Sequence, residues 1–341
     1  MVLGSRSSGL WTNMKLLIVV HHRLELWNVP AWFGARLMDE FPQLQVMQRD
    51  SYEGIEPHLR DAEIVFTISL RPEQFAVAEK LRWIHAATAA VHQLLFPELV
   101  NSDVVITNSG EVHGPVVAEH VIALIFALAK KIPQAAAFQQ KREWGQEAMW
   151  KEWPHLREVS GATLGLIGLG SIGRRVARMA YAMGMRVIAV REHVEKGRPE
   201  GVETVFPPAK LDEVLKQSDY VVLAAPLVPE TQGLINAARL AVMKPEAYLI
   251  NVGRGQQVDT AALVEALAAR RIAGAALDVF DKEPLPPDSA LWGVENLLVT
   301  PHTAGLTDKL WNRHYELFAE NLRRYLAGKP LRFVVDKQKG Y

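Results

Sequence analysis

The stretch from Thr163 to Gly173, TLGLIGLGSIG, decides the fold of this chain. A short β-rich segment leads into three glycines in the pattern G-x-G-x-x-G, and residues 174–183 continue with helical periodicity. In such a strand–turn–helix unit, the first glycine permits a tight turn, the second lets a pyrophosphate approach the backbone, and the third lets the helix pack on the strand. The pattern predicts a dinucleotide site on Gly168, Gly170 and Gly173, with the anion at the helix N-terminus.

Composition narrows the class of protein around this motif. The chain has 341 residues, of which 49% are hydrophobic and 22% charged, and this length predicts two globular domains. Lys and Arg number 38, as do Asp and Glu, so a net charge of zero argues against nucleic acid and anionic membranes as partners. The absence of cysteine excludes a disulfide framework, a thiolate metal site and a cysteine nucleophile.

Membrane and export signals are weak in the sequence. The longest apolar stretch, Val121–Ala129, is far shorter than the roughly 20 residues that span a bilayer, so it predicts a buried helix. Residues 1–13 have no apolar core, and Leu16–Val20 is too brief for the apolar region of a signal peptide. We therefore expect a cytoplasmic protein in which residues 1–13 form an extension outside the fold.

Short β-rich segments alternate with longer segments of helical period from Met14 onward. Such alternation predicts parallel sheets covered by helices on both faces. The first series of strands comprises Lys15–Val20, Leu44–Gln48, Ile64–Ile68 and Leu81–His85. The second series comprises Val104–Thr107, Thr163–Ile167, Arg186–Val190, Tyr220–Ala224, Ala247–Asn251, Gly274–Asp278 and Leu297–Thr300, with long helices near Pro115–Lys131 and 309–327.

These two series predict an α/β protein of two domains. A doubly wound Rossmann cofactor domain over residues 106–305 is inserted into a flavodoxin-like α/β substrate domain, which begins with residues 14–105. The C-terminal helix, within residues 306–341, is expected to return to the substrate domain. The chain then crosses between domains twice, which predicts a cleft with two hinges.

Arg191 stands where the ribose-reading residue is expected, at the end of the strand that follows the glycine turn. An acidic residue there accepts hydrogen bonds from ribose hydroxyls, whereas a guanidinium suits a 2′-phosphate, so NADP is favoured. Lys196 and Arg198 add positive charge nearby, although a solvated basic loop explains them equally well. An arginine also stacks on adenine without any phosphate, so NAD remains open.

Three later strands each end in residues suited to chemistry, at the edge where an open α/β sheet binds its ligand. Arg254 lies between two glycines, Glu283 follows an acidic loop, and His302 comes after Thr300-Pro301. For hydride transfer to a 2-oxo acid, Arg254 would bind the carboxylate and polarise the ketone. His302 would give the ketone oxygen its proton, and Glu283 would hold the other ring nitrogen and favour the protonated ring.

Each of these residues also has a plainer interpretation. A lone histidine after a proline is more often an ordinary loop residue, and Glu283 caps a turn in the simplest account. A metal site is not expected, because His21, His22, His113 and His120 have only Glu119 as a neighbouring carboxylate in the sequence.

The motifs together resemble the D-isomer-specific 2-hydroxyacid dehydrogenase family, over the chain from Met14 to the C-terminal helix. The resemblance implies that Arg254, Glu283 and His302 are the catalytic residues, that Asp278 meets the nicotinamide carboxamide, and that the protein is a homodimer through the helix Pro115–Lys131. The stretches that carry it are Gly168–Gly173, Ala225–Thr231, Met243–Pro245, Ile250–Gly255, Leu277–Phe280, Glu283–Pro286 and Thr300–Gly305. The cofactor-binding set it implies comprises Gly168, Gly170, Ser171, Ile172, Gly173, Arg191, Pro226, Thr231, Val252, Gly253, Arg254, Asp278, His302 and Gly305.

Two departures from the family pattern bear on specificity. The family commonly has Asp where Arg191 stands, which agrees with the preference for NADP. In the substrate loop, the family commonly has glycine followed by an acidic residue, where this chain reads Ala89-Ala90-Val91-His92. The backbone amides of Ala89, Ala90 and Val91 are still expected to hold a substrate carboxylate, together with Arg254 and His302.

The favoured function is therefore reduction of a 2-oxo acid by NAD(P)H to a D-2-hydroxy acid. A formate dehydrogenase is disfavoured because Glu283 stands where that group typically has Gln. From another class, a nicotinamide-nucleotide-sensing interaction protein resembling the C-terminal-binding corepressors shares the fold and the catalytic trio, so these residues do not exclude it.

Overall fold

A computed structural model describes residues 14–340, and the expected extension 1–13 lies outside them. The chain divides into two compact units. Among the described residues, the first unit comprises residues 14–113 together with residues 307–340, and the second comprises residues 114–306. The first crossing thus falls after residue 113 rather than after 105, and the second after residue 306.

The first unit is built on a five-stranded parallel sheet in the order β2-β1-β3-β4-β5. This is the flavodoxin-like order. Its elements are β1 (Met14–Val19), α1 (Ala31–Glu40), β2 (Leu44–Arg49), α2 (Glu56–Asp61), β3 (Ile64–Thr67), α3 (Pro72–Ala76), β4 (Trp83–Ala86), α4 (Pro97–Val100) and β5 (Val105–Asn108). The segment expected to open the second series is β5, and it belongs to the first sheet because it pairs with β4.

The central strand β1 explains why this sheet has two covered faces. Leu16 and Ile18 point into one apolar cluster, whereas Leu17 and Val19 point into another on the opposite face. Successive side chains of a strand point to opposite faces, so a run of apolar residues without alternation requires helices on both.

The second unit holds a seven-stranded parallel sheet in the order β12-β11-β10-β9-β6-β7-β8. Counted from β6, this is the doubly wound Rossmann order extended by one strand. Its elements are α5 (Gly114–Ala129), α6 (Ile132–Lys141), α7 (Gln146–Lys151), β6 (Thr163–Ile167), α8 (Ser171–Ala182), β7 (Arg186–Val190), β8 (Thr204–Phe206), α9 (Leu211–Gln217), β9 (Tyr220–Leu223), α10 (Ala237–Val242), β10 (Tyr248–Asn251), α11 (Thr260–Ala268), β11 (Gly274–Leu277) and β12 (Leu297–Val299).

The last helix, α12 (Leu310–Leu326), belongs to the first unit. Its buried face includes Tyr315, Phe318 and Leu322, which join the cluster that covers one face of the first sheet. The Phe318 ring lies 4.8 Å from that of Phe66 in β3, measured between centroids. The C-terminal segment therefore completes a core that the N-terminal segment begins.

Two features of residues 14–340 concern membranes and metals. No single helix among them is long and apolar enough to cross a membrane, and α5 and α6 reach that character only as a pair bent by 62°. No cluster of three or more metal-ligating side chains occurs in the same part of the chain.

Candidate active site

The glycine turn between β6 and α8 has the geometry that close approach of a ligand requires. Gly168 adopts a φ of +103°, and a Cβ there would lie 2.7 Å from the carbonyl oxygen of Ala224. A Cβ on Gly173 would overlap the Gly168 carbonyl, so the helix packs on the turn only without a side chain. A Cβ on Gly170, by contrast, would meet no protein atom within 4 Å. The second glycine faces open space, as the approach of a pyrophosphate demands.

The helix that follows this turn starts with Ser171 and Ile172. Gly170 caps it with no side-chain hydrogen bond, so the first amides of the 12-residue helix α8 are left without a side-chain cap. The Ser171 hydroxyl accepts a hydrogen bond of 2.9 Å from Arg175, one turn later. These amides and the positive end of the helix dipole suit an anion.

Arg191 follows β7 and is folded onto its own loop. Its Nε donates to the His193 carbonyl at 2.6 Å, and one terminal nitrogen donates to the Gly197 carbonyl at 3.0 Å. The guanidinium therefore shapes the loop that carries Lys196 and Arg198. It stands at the carboxyl end of its strand, as the sequence predicted.

The loops after β9 and β10 contain the next predicted residues. The Thr231 hydroxyl donates to the Pro226 carbonyl at 2.8 Å and accepts from the Val228 amide at 2.9 Å, which closes the loop after β9. Val252 is buried, and the Gly253 amide donates to Asn251 Oδ1 at 3.0 Å. The hydrogen bond between Thr231 and Pro226 thus fixes the loop after β9. Val252 and Gly253 form the start of the loop after β10, immediately before Arg254.

Buried amide side chains fix the backbone of Arg254. Gln257 Oε1 accepts from the Arg254 amide at 2.9 Å, and the Asn251 side chain donates to the Arg254 carbonyl at 2.9 Å. Both amide side chains are buried. Burial lowers the pKa of the Arg254 guanidinium, and the charge of Glu283 opposes that shift. Because an arginine keeps its charge in proteins, the site holds a partly desolvated cation.

Glu283 and His302 form the closest charged contact of the site. Glu283 Oε2 lies 2.6 Å from His302 Nδ1, while Oε1 accepts from the Phe280 amide at 2.9 Å. The side chain of His302 is 51% exposed, and within residues 14–340 its Nε2 has no hydrogen-bond partner. The carboxylate therefore fixes the ring by one nitrogen and leaves the other without a partner among the described residues.

These three residues lie at the ends of three adjacent strands. Arg254 follows β10, Glu283 follows β11 and His302 follows β12, and the three strands are neighbours in the sheet. Gly255 packs so closely on the backbone of Phe280 that a Cβ would overlap it, which couples the first two loops.

Asp278 directly follows β11 and is 1% exposed. Its carboxylate accepts hydrogen bonds from the Thr300 hydroxyl and from the amides of Thr303 and Ala304, at 2.6, 2.9 and 3.0 Å. Half-buried Gly305 closes the same loop. The expected contact of Asp278 with a nicotinamide carboxamide stays a prediction, since the carboxylate is engaged by the loop that carries His302.

The predicted substrate loop lies in the first unit, after β4. The Ala89 carbonyl accepts from the Asn108 side chain at 3.0 Å, and the Ala90 carbonyl accepts from the Thr88 hydroxyl at 2.6 Å. Val91 buries its side chain in the core of the unit. The carbonyls of Ala89 and Ala90 and the side chain of Val91 thus already have partners within the first unit. The backbone amides are the groups of this loop that could donate hydrogen bonds to an acid.

Sequence reasoning missed the supporting polar residues. Asn251 and Gln257 were not singled out, although an Asn at the end of an apolar strand and a Gln three residues after Arg254 are signals of local capping. His120 was considered only as a metal ligand. In the structure its Nε2 lies 3.1 Å from the Thr300 hydroxyl and 3.6 Å from Asp278.

Comparison with known proteins identifies relatives of the whole chain. The family model described as "D-isomer specific 2-hydroxyacid dehydrogenase, NAD binding domain" matches residues 122–304. A glyoxylate reductase from Pyrococcus furiosus is 31% identical over 313 residues, which cover 89% of this chain and 92% of the relative.

Solved structures agree with the sequence relatives. A D-isomer specific 2-hydroxyacid dehydrogenase from Xanthobacter autotrophicus, in complex with NADPH and MES, is 30% identical with a TM-score of 0.80, covering 95% of this chain and 99% of that one. An NADPH-dependent glyoxylate/hydroxypyruvate reductase from Sinorhizobium meliloti, in complex with NADP and sulfate, is 28% identical with a TM-score of 0.79, covering 96% of this chain and 100% of that one.

Proposed function

The chain belongs to the D-isomer specific 2-hydroxyacid dehydrogenase family, and on that premise we propose that it reduces a small 2-oxo acid to the D-2-hydroxy acid with NADPH. The observation that carries the proposal is the 2.6 Å contact between Glu283 and His302, next in the sheet to the loop of Arg254. A cation for the acid and a held imidazole for the proton are the two groups that this reduction requires.

The cofactor residues fit a dinucleotide. Gly170 leaves open space before the uncapped N-terminus of α8, and Arg191 stands at the end of β7. When bound, the nicotinamide supplies the hydride that adds to the 2-oxo carbon. The protein supplies the binding groups and the proton.

In the proposed mechanism, the Arg254 guanidinium binds the substrate carboxylate and polarises the ketone oxygen. His302 donates a proton from Nε2 to that oxygen as the carbon receives the hydride, so that the ketone becomes an alcohol. Glu283 keeps Nδ1 occupied and orients the ring, so that Nε2 faces the ketone oxygen. In the first unit, the amides of Ala89, Ala90 and Val91 are proposed as further donors to the carboxylate.

A turnover assay tests this proposal. The purified protein is incubated with NADPH or NADH and a panel of glyoxylate, hydroxypyruvate, pyruvate and phenylpyruvate, and loss of reduced-nicotinamide absorbance is followed. We expect turnover with at least one acid and, by chiral chromatography, a D product. Binding of NADPH without turnover on any acid would contradict the proposal and favour a nucleotide-sensing protein.

The preference for NADPH rests on Arg191, whose guanidinium is proposed to contact the 2′-phosphate with help from Lys196 and Arg198. Arg191→Asp should lower kcat/KM for NADPH by about tenfold or more, the effect of losing one charge-assisted hydrogen bond. The same variant should retain or improve its use of NADH. Arg60→Asp, which makes the same charge change on an exposed helix of the first unit, is the matched control. Equal loss with both cofactors would contradict the assignment.

We also propose that the protein works as a homodimer in the cytoplasm. Apolar side chains on and after α5 support the dimer: Phe126, Ile132, Trp144 and Trp150 are 38, 55, 90 and 63% exposed. A diffusible nicotinamide cofactor, regenerated by metabolism, supports the cytoplasmic address. Light scattering of the purified protein and fractionation of the source cells test the two statements separately.

A further inference from the structure

The loop that presents His302 has a backbone that its sequence does not favour. His302 adopts a φ of +54°, in the left-handed region that is unfavourable for a residue with a Cβ. Such a conformation persists only where the surrounding structure imposes it. The residues that impose it therefore help to place the ring.

Asp278 accepts hydrogen bonds from this loop on both sides of His302. Oδ1 accepts from the Thr300 hydroxyl and the Thr303 amide, and Oδ2 accepts from the Ala304 amide, at 2.6, 2.9 and 3.0 Å. The bonded residues lie two before, one after and two after the histidine. With the carboxylate 1% exposed, these bonds are sheltered from water.

A buried carboxylate needs further support, and His120 of α5 provides it. Its Nε2 lies 3.1 Å from the Thr300 hydroxyl and 3.6 Å from Asp278 Oδ1. Burial lowers the pKa of His120 although Asp278 opposes the shift, so at neutral pH the ring is neutral and donates from one nitrogen. Because the Thr300 hydrogen points to the carboxylate, the Thr300 oxygen must accept, and the His120 proton therefore sits on Nε2.

We propose that His120 and Thr300 are positioning residues that act through Asp278 to hold the left-handed turn on which His302 is presented. The hydrogen bonds run in one direction, from His120 Nε2 to Thr300 Oγ1 and from Thr300 Oγ1 to Asp278 Oδ1. All three residues lie in the second unit. On this inference, which rests on the proposed function, Asp278 organises the loop.

Matched substitutions at two positions test the inference. Thr300→Val removes the hydroxyl at nearly constant shape, whereas Thr300→Ser keeps it. His120→Leu removes the ring donor, whereas His120→Gln keeps an N–H group at similar reach. We expect Val and Leu to lower kcat by about 10–100-fold, the scale of a misplacement of about 1 Å in a catalytic group. Ser and Gln should stay within about threefold of the parent.

Two further measurements separate positioning from general loss of structure. In all four variants, KM for the acid should change less than about threefold, and so should the dissociation constant of NADPH, measured by tryptophan fluorescence. The reason is that these substitutions displace the ring of His302 and leave the groups that bind acid and cofactor in place. In the double variant, His120→Leu should add little to Thr300→Val, since both break one chain of bonds. Equal losses in the Ser and Val variants, additive losses, or a weakening of NADPH binding parallel to kcat would each overturn the inference.

Amide exchange provides a readout that needs no turnover. The amides of Thr303 and Ala304 are bonded to Asp278, so their hydrogen exchange should be faster in Thr300→Val and His120→Leu than in the parent, Thr300→Ser and His120→Gln. If the parent reduces none of the acids, the proposed function fails. The exchange data still decide whether His120 and Thr300 act through Asp278 to hold the loop. Unchanged exchange in the Val and Leu variants would overturn the inference whatever the activity.

Discussion

Two settings of histidine in this protein show what decides the role of the same side chain. In the first unit, His85 of β4 is fully buried, with Nδ1 2.7 Å from the Thr107 hydroxyl and Nε2 3.2 Å from the Ser109 hydroxyl. In the second unit, His302 is half exposed, and its ionic partner is Glu283. Both lie toward the carboxyl end of a parallel strand, so their place in the sheet does not separate them.

The difference lies in burial and in the charge of the partners. Burial lowers the pKa of His85 to about 3, and burial likewise holds the pKa of His314 well below its usual value. Both rings are therefore neutral at neutral pH, and neither serves as a general acid. The ring of His302 is held by a carboxylate at Nδ1 and is open to solvent, which leaves its Nε2 accessible. The same residue type is therefore structural in one unit and suited to catalysis in the other.

His85, His314, Thr107 and Ser109 form a buried hydrogen-bond network in the first unit. Its donors and acceptors are matched only when both histidine rings are neutral. Ser109 donates to the Ala86 carbonyl at 2.8 Å, so its oxygen accepts from His85 Nε2 and from His314 Nδ1, which lies 3.1 Å away. Thr107 accepts from the Trp83 indole at 2.8 Å and donates to His85 Nδ1. A second proton on either ring would have no acceptor in this network and would bring an unpaired charge into the core.

Replacing His302 gives the largest effect that separates the two settings. His302→Gln removes the proposed proton donor, so kcat should fall by about 10²–10⁴-fold, the usual contribution of a general acid. The dissociation constant of NADPH and the free energy of unfolding should stay close to those of the parent. His85→Gln is the matched variant: it should lower the free energy of unfolding and leave kcat at saturating acid within a few-fold of the parent. The reverse pattern would exchange the roles assigned to the two histidines.

Acid should selectively weaken the first unit. The folded state holds His85 neutral down to a pKa of about 3, whereas the unfolded chain takes up that proton near the ordinary histidine pKa of 6.5. The contribution of His85 to the free energy of unfolding is therefore complete above pH 6.5 and is lost as pH falls, by about 1.4 kcal/mol per pH unit, or about 2 kcal/mol at pH 5. His314 adds to it in the same direction.

Urea unfolding at pH 7, 6 and 5, followed by circular dichroism, measures this loss. His85→Gln should flatten the dependence on pH, while His155→Gln, at an exposed position, should leave it unchanged. A parent protein with constant stability between pH 7 and 5 would contradict the structural role of the network.

Ser109→Ala should give a smaller loss. It deprives two buried ring donors of their acceptor, so the free energy of unfolding at neutral pH should drop by about 1–3 kcal/mol. Chemical denaturation measures the drop, and Ser102→Ala, which removes a hydroxyl that donates to the Leu99 carbonyl and accepts from the Val104 amide, is the control. Equal effects of the two substitutions would mean that the histidine network adds nothing to the core.

Replacing Glu283 should give the smallest change of the four. Glu283→Gln keeps a hydrogen-bonding side chain but removes the charge 2.6 Å from His302 Nδ1. At neutral pH, kcat for reduction should fall by about tenfold, the effect of losing one charge-assisted hydrogen bond, while the dissociation constant of NADPH stays close to that of the parent. An unchanged kcat in stopped assays would show that the charge of Glu283 does not assist proton transfer from His302.

Much of this architecture follows from local patterns in the chain. The strands Thr163–Ile167 and Arg186–Val190 begin and end where the apolar runs predict, because a fully buried parallel strand is one unbroken apolar segment. The last helix was predicted within a residue at each end, since its apolar face repeats with helical period. Arg254, Glu283 and His302 were identified because each follows such a strand.

Other features depend on pairing between distant segments. The run Val104–Thr107 shows no sign of which sheet it joins, and it was placed in the wrong series because only its pairing with β4 decides the matter. The role of His120 was likewise invisible. A histidine in an apolar helix reveals its partner only when that partner, here Thr300, which lies 180 residues later, is folded against it.

The sequence by itself determined the two α/β units, the glycine turn for a dinucleotide and the three residues proposed for chemistry, because strand runs and turn glycines act over a few neighbouring residues. Only the tertiary structure decided which histidines are kept neutral by burial and which carboxylate accepts hydrogen bonds from the loop around His302. It also decided where the chain passes from one unit to the other. Burial and the hydrogen bonds of a buried group are set by residues far apart in the chain, and local sequence carries no record of them.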